Sequence, residues 1–199
     1  EREFSSIENG FKEEETRAFT DYKSNDSEFI KKLAFLSYQS EVYQVRMYSV
    51  FLFGYLSEDK NILMFLRDEV SKDSNWRVQE VLAKSFDEFC KIIGYEKALP
   101  VIDDWLKNSN HNTRRAVTEG LRIWTGRPYF KANPNEAIRR LAALRDDPSE
   151  YVRKSVGNAL RDISKKYPEL IRVELSTWSL ENKGIKQVYQ LANKLLIKS

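Results

Sequence analysis

Internal self-similarity constrains the fold of this 199-residue chain more than any other feature. Segments beginning at Val45, Val78, Thr113, Val152 and Ile185 align with one another, and their starts lie 33, 35, 39 and 33 residues apart. Three of them follow polar turns of similar chemistry: Asp73-Ser74-Asn75, Asn108-Ser109-Asn110 and Asp146-Asp147-Pro148-Ser149. Such residues cap helix N-termini, because their short side chains accept hydrogen bonds from the unpaired first amides. Between the aligned segments lie further apolar patterns at helical spacing, Ala98–Leu106 and Ala137–Leu144. Each unit therefore reads as a helix pair that must stack on its neighbours to bury its apolar face.

A period of about 33 to 47 residues with two helices per unit fits the tetratricopeptide and HEAT/armadillo classes. The Trp, Leu-Gly and Tyr offsets of the former are missing, whereas residues 147–156 form the turn and second-helix start of a HEAT-like repeat. The prediction is an all-α, HEAT-like-repeat α-solenoid, a right-handed superhelix of antiparallel helix pairs. About four to five units run from near residue 28 to residue 199. Residues 1–27, including the acidic Phe4–Tyr22 stretch, are expected to form an N-terminal helical cap on what is otherwise a single domain. With 7 Gly and 5 Pro, the chain has too few turn formers for a β-sandwich or barrel of many short strands.

The 39-residue spacing is stretched by Trp124–Asn135, where Gly126, Pro128 and Pro134 predict a loop. It gathers Trp124, Arg127, Tyr129, Phe130 and Lys131. Two readings are open: a decoration of the binding face, or a connector whose aromatics plug the core.

The net charge of +3 conceals an asymmetry. Residues 1–99 carry 14 Lys+Arg against 19 Asp+Glu, net −5, and residues 100–199 carry 19 against 11, net +8. A polyanion-binding surface would leave such a split, and so would ordinary solvated helix faces. Cys90 and His111 are the single residues of their kinds, which excludes disulfides within the chain, zinc sites built from Cys/His clusters, and a Ser-His-Asp triad on any other histidine. Cys90 lies on an apolar run and reads as core, and His111 reads as an exposed cap neighbour. Trp105 and Trp178 read as packing residues. No stretch approaches ~18 apolar residues and the N-terminus opens acidic, so neither a signal peptide nor a membrane span is expected, and a cytoplasmic setting fits. No metal or cofactor is expected.

In a solenoid of this kind the second helix of each pair usually lines the concave surface. Arg115, Glu119 and Arg122, spaced i, i+4 and i+7, share one helical face. The preceding repeat offers Trp76 and Glu80, and the following one offers Lys154, Asn158 and Asp162. Cations suit a phosphate backbone, whereas carboxylates do not. Carboxylates on such a wall would instead stabilise positive charge developing on a sugar, as in glycoside hydrolysis. The alternative is a surface ladder of ion pairs worth little.

At these residues the chain resembles the bacterial HEAT-like-repeat DNA alkylation repair family, which contains DNA glycosylases for alkylated bases and non-catalytic relatives. The likeness is carried by Arg115–Arg122 followed by Trp124, by Asp146–Pro168 and by Trp76–Phe89, and it covers roughly residues 40–199. It implies a C-shaped solenoid cradling duplex DNA in a basic groove, and N-glycosidic hydrolysis that needs neither a metal nor a base-flipping pocket. Glu119 and Arg122 match a Glu-Gly-x-Arg motif, Arg115 an arginine one turn earlier, Trp124 an active-site tryptophan, and Asp162 an Asn-x-x-x-Asp motif that begins at Asn158. Glu80 stands where the family places an acid, one methylene longer than the aspartate of its best-known branch, and Ile123 stands where the other branch has proline.

The resemblance makes Glu80, Glu119 and Asp162 the expected catalytic carboxylates. Arg115, Arg122, Arg127, Lys131, Arg153 and Lys154, with Asn158, would hold DNA, and Trp76 and Trp124 would contact base or sugar. The expected partner is double-stranded DNA bearing positively charged alkylated bases, met by a monomer with no membrane contact. A catalytically silent DNA-binding relative and a HEAT protein-interaction scaffold are the alternatives.

Overall fold

The computed structural model describes residues 10–198, so the first residues of the expected N-terminal cap lie outside the described part. Among the described residues there are twelve α-helices and no strand. They are α1 (Lys12–Ser24), α2 (Ser27–Tyr38), α3 (Tyr43–Tyr55), α4 (Lys60–Asp68), α5 (Trp76–Ile93) and α6 (Tyr95–Leu106). α7 (His111–Trp124), α8 (Pro128–Ala132), α9 (Pro134–Ala143), α10 (Glu150–Ser164), α11 (Pro168–Ser176) and α12 (Lys183–Ala192) complete the set. The five aligned segments fall on α3, α5, α7, α10 and α12, each the second helix of its pair. The fold is all-α and HEAT-like.

The chain divides into two compact units, one ending at Ala98 and the other beginning at Leu99. In the first, α3 packs against α1, α2 and α5. Its core is rich in aromatic rings, with Phe35, Phe53 and Phe65 meeting pairwise at centroid distances of 4.9 to 5.1 Å. In the second, α10 packs against α7 and α12. Val117, Leu121, Val152, Val156, Leu160 and Val188 are fully buried there.

The turn chemistry works as read ahead of α5 and α7, whereas Ser149, at the N-terminus of α10, makes no side-chain cap. Asn75 and Asn110 accept from the second helical amides of α5 and α7, at Arg77 and Asn112. Ahead of them, the side chains of Asp73 and Asn108 accept from the amides of Asn75 and Asn110. Asp147 does the same for Ser149, and Asn182 caps α12.

The second position of the aligned segments forms a repeated clip. Arg46, Arg114 and Arg153 each turn a guanidinium nitrogen back to two carbonyls five and six residues earlier. Gln79 reaches the carbonyl of Asp73 in the same way. Arg46 and Arg114 also reach forward, to the carboxylates of Asp73 and Asp147, and Arg153 reaches Gln187. These basic residues tie one repeat to the next. Arg153, expected to grip phosphate, is thus engaged by carbonyls and an amide, because its place on the helix turns it toward the neighbouring turn.

The expected loop at Trp124–Asn135 is largely helical. Pro128 and Pro134 open α8 and α9. A first-turn proline lacks only an amide that has no intrahelical partner, so it starts a helix where an interior proline would break one. Trp124 and Phe130, both fully buried, stack at 5.6 Å. The connector reading is the one observed. Trp124 is therefore not placed to touch a base or sugar. A Cβ at Gly120 would lie 2.4 Å from its indole, so glycine is what lets the ring fold against its own helix.

Candidate nucleic-acid interface

α7 and α10 lie side by side, and their polar faces form one continuous ionic chain. Arg115 approaches Glu119 at 3.8 Å, and Glu119 meets Arg122 at 3.4 Å. Arg122 crosses to α10, where its Nε lies 2.5 Å from Asp162 Oδ2. Asp162 also receives Lys165 at 3.0 Å and Arg161 at 3.4 Å. Four cations thus share two carboxylates, and the cluster retains excess positive charge.

Glu119 is held from inside. Ser155 Oγ donates to Glu119 Oε1 at 2.8 Å, and Thr118 Oγ1 lies 2.6 Å from Ser155 Oγ. Partial burial works against the charge of Asp162, but hydrogen bonds from Lys165 and Arg122 together outweigh it and hold its carboxyl below the usual carboxylate range. The cations are less enclosed, with the Lys165 side chain 61% exposed and that of Arg122 36% exposed. Lys131 and Lys154 are exposed, whereas Arg127 and Asn158 are half-buried. Lys154 pairs with Glu150 at 2.8 Å.

Trp76 and Glu80 stand on α5 in the first unit, Trp76 half-exposed at its first position and Glu80 half-buried one turn later. The Arg77 guanidinium lies 4.6 Å from the Trp76 ring centroid. Cys90 is buried, Trp105 and Trp178 are core residues, and His111 is exposed.

Sequence reasoning missed Arg161 and Lys165, which flank Asp162. The spacing Asp162 to Lys165, i to i+3, was the available signal. It also passed over Tyr151, whose ring lies under the Arg115 guanidinium at 4.3 Å. Among the described residues no helix is long and apolar enough to cross a membrane, and no group of three or more His, Cys, Asp or Glu side chains could hold a metal ion.

These features define an all-α, HEAT-like-repeat protein with an excess of positive charge along the α7–α10 face. The family model described as DNA alkylation repair enzyme matches residues 2–179, and the chain belongs to that family. It is similar to AlkD2 from Streptococcus mutans, known from a crystal structure, at 77% identity and a TM-score of 0.96 over 97% of this chain and 93% of that one. Its fold is shared with the Pseudomonas fluorescens alkylpurine DNA glycosylase AlkC bound to DNA containing an abasic site analog, at a TM-score of 0.54 and 23% identity over 94% of this chain and 62% of that one. The uncharacterized protein YhaZ of Bacillus subtilis (strain 168) is 36% identical over 91 residues, 44% of this chain and 26% of its own length. The matched part is thus about a quarter of that curated relative.

Proposed function

We propose that the chain binds the phosphate backbone of DNA in alkylation repair, with the α7–α10 face as the gripping surface. The observation that carries this is the ion chain, in which Arg115, Arg122, Arg161 and Lys165 outnumber Glu119 and Asp162. Here Glu119 and Asp162 act as positioning residues. They hold Arg122 in one rotamer, which lowers the entropy lost when it meets phosphate. Lys131 and Lys154 add exposed cations, and the DNA-bound AlkC structure supports the choice of polyanion. In a salt titration of duplex binding, log affinity should fall linearly with log salt, by about 0.9 for each phosphate neutralised. Lys165→Glu should weaken binding to all sequences alike. Absence of duplex binding at low salt would remove the proposal.

A second reading, hydrolysis of the N-glycosidic bond of a positively charged alkylated base, is favoured by the exposed Trp76 ring one turn before Glu80. The bond from C1′ to the base nitrogen would break with its electron pair leaving on the base, which becomes neutral. Water oriented by Glu80 would then bond to C1′ and pass its proton through the carboxylate to solvent. Release of 3-methyladenine or 7-methylguanine from methylated DNA at enzyme excess, abolished in Glu80→Gln, tests it. If the wild-type protein releases neither base, this reading falls and the binding proposal stands.

A further inference from the structure

The first turns of α7 and α10 carry an aromatic group that the ion chain does not use. Tyr151 is 39% exposed and has the Arg115 guanidinium carbon 4.3 Å from its ring centroid. His111, exposed and one turn before Arg115 on α7, meets the same ring at 6.5 Å with the planes 75° apart. Lys154, three residues after Tyr151, is exposed beside it. The group therefore joins a ring backed by a cation, a second ring at its edge, and an exposed ammonium held by Glu150.

This combination suits a nucleobase and its phosphate. An aromatic face is a sequence-tolerant stacking partner for any base, and a guanidinium strengthens the stack. In a duplex each base is already covered by its neighbours on both faces, so a stacking side chain selects bases that are unpaired. The pairing is not peculiar to one place. In the first unit the first turn of α5 presents Trp76, 51% exposed, with the Arg77 guanidinium on its ring, and Arg77 also lies 5.3 Å from the ring of Tyr43. An exposed aromatic with an arginine against it thus recurs at the start of a second helix in each unit.

We propose that His111, Tyr151 and Arg115 form a stacking site for an unpaired DNA base, which makes single-stranded or locally unpaired DNA the preferred ligand of this face. The proposal rests on the phosphate-binding reading above for its second contact, through Lys154. The test is binding of the full chain to a labelled short oligothymidylate and to a blunt duplex of the same length, at one salt concentration. Wild type should bind the oligothymidylate more tightly. Tyr151→Leu should lose about tenfold in affinity for it, Tyr151→Phe should retain it, and duplex affinity should be the same in all three. His111→Ala, at an exposed position where folding is not at stake, should weaken the oligothymidylate several-fold. Equal wild-type affinity for the two forms, or unchanged oligothymidylate binding in both Tyr151→Leu and His111→Ala, overturns the inference and leaves phosphate binding in place. If neither DNA binds, both fall together.

Discussion

Arg114 and Asp147 meet in a two-pronged ion pair, Nε to Oδ2 and Nη2 to Oδ1, both at 2.7 Å. Their side chains are only 9% and 2% exposed. The remaining guanidinium nitrogen is taken by the carbonyls of Asn108 and Ser109, and Asp147 also accepts from the amide of Ser149. One arginine thus fastens the turn before its own helix to the turn before the next repeat.

Removing one partner leaves the other as a buried, uncompensated charge. Asp147→Ala should cost about 3–5 kcal/mol in urea unfolding. The double variant Arg114→Met with Asp147→Ala should be no less stable than Asp147→Ala alone. A double variant clearly weaker than the single one would show that the bonds from Arg114 to the carbonyls of Asn108 and Ser109 outweigh the cost of its unpaired charge.

Asp162 gives a pH dependence of known sign. Its folded pKa lies below the ordinary value, so its contribution is present above the unfolded pKa and is lost as pH falls through the folded one. Asp162→Asn should therefore destabilise the protein at neutral pH, and the gap from wild type should close in acid below about pH 4. A gap independent of pH would mean that packing, not charge, is what Asp162 contributes.

Gly157 fixes how closely α10 and α12 approach, since a Cβ there would lie 2.6 Å from Leu191 Cβ. Gly157→Ala should destabilise by about 1–3 kcal/mol through overpacking, although alanine favours helix. Leu191→Ala in the same chain should recover part of that loss. Thermal unfolding of the single and double variants would read the coupling, and purely additive effects would contradict the contact.

Glu14 on α1 is fully buried, and among the described residues neither carboxylate oxygen has a hydrogen-bond partner. Burial pushes its carboxyl up from the ordinary value. The carboxyl's favourable contribution is present in acid, below the unfolded pKa, and is lost as pH rises through the folded one. Glu14→Met should stabilise the protein at pH 7 by about 1–3 kcal/mol and bring less benefit in acid. Equal benefit at both pH values would mean that the carboxyl stays protonated throughout.

The repeat made the second helices legible. An Asn-capped turn followed by apolar residues at helical spacing specifies α5 and α7 locally, and alignment then showed that Arg122 and Asp162 belong to facing helices. Other features were hidden for definite reasons. Pro128 and Pro134 read as breakers because sequence does not show whether a proline falls in a first turn or an interior. Arg153 and Lys154 look alike as charges, yet one residue turns a helix by about 100°, which directs Arg153 to carbonyls and Lys154 to an exposed pair with Glu150. Trp124 was misplaced because an indole at a helix end can lie on either side, and the missing Cβ of Gly120 together with stacking on Phe130 allows the buried one.

The clips also determine where this chain tolerates extra length. From Ser40 to Arg46, Asp73 to Gln79, Asn108 to Arg114 and Asp147 to Arg153 the interval is always six residues, although whole repeats vary from 33 to 39. Added residues have been absorbed upstream, where α8 now sits. A peptide grafted after the exposed Asn133 would therefore leave every repeat in phase, whereas a single residue inserted between Asn108 and Arg114 would throw all later repeats out of register with those before them.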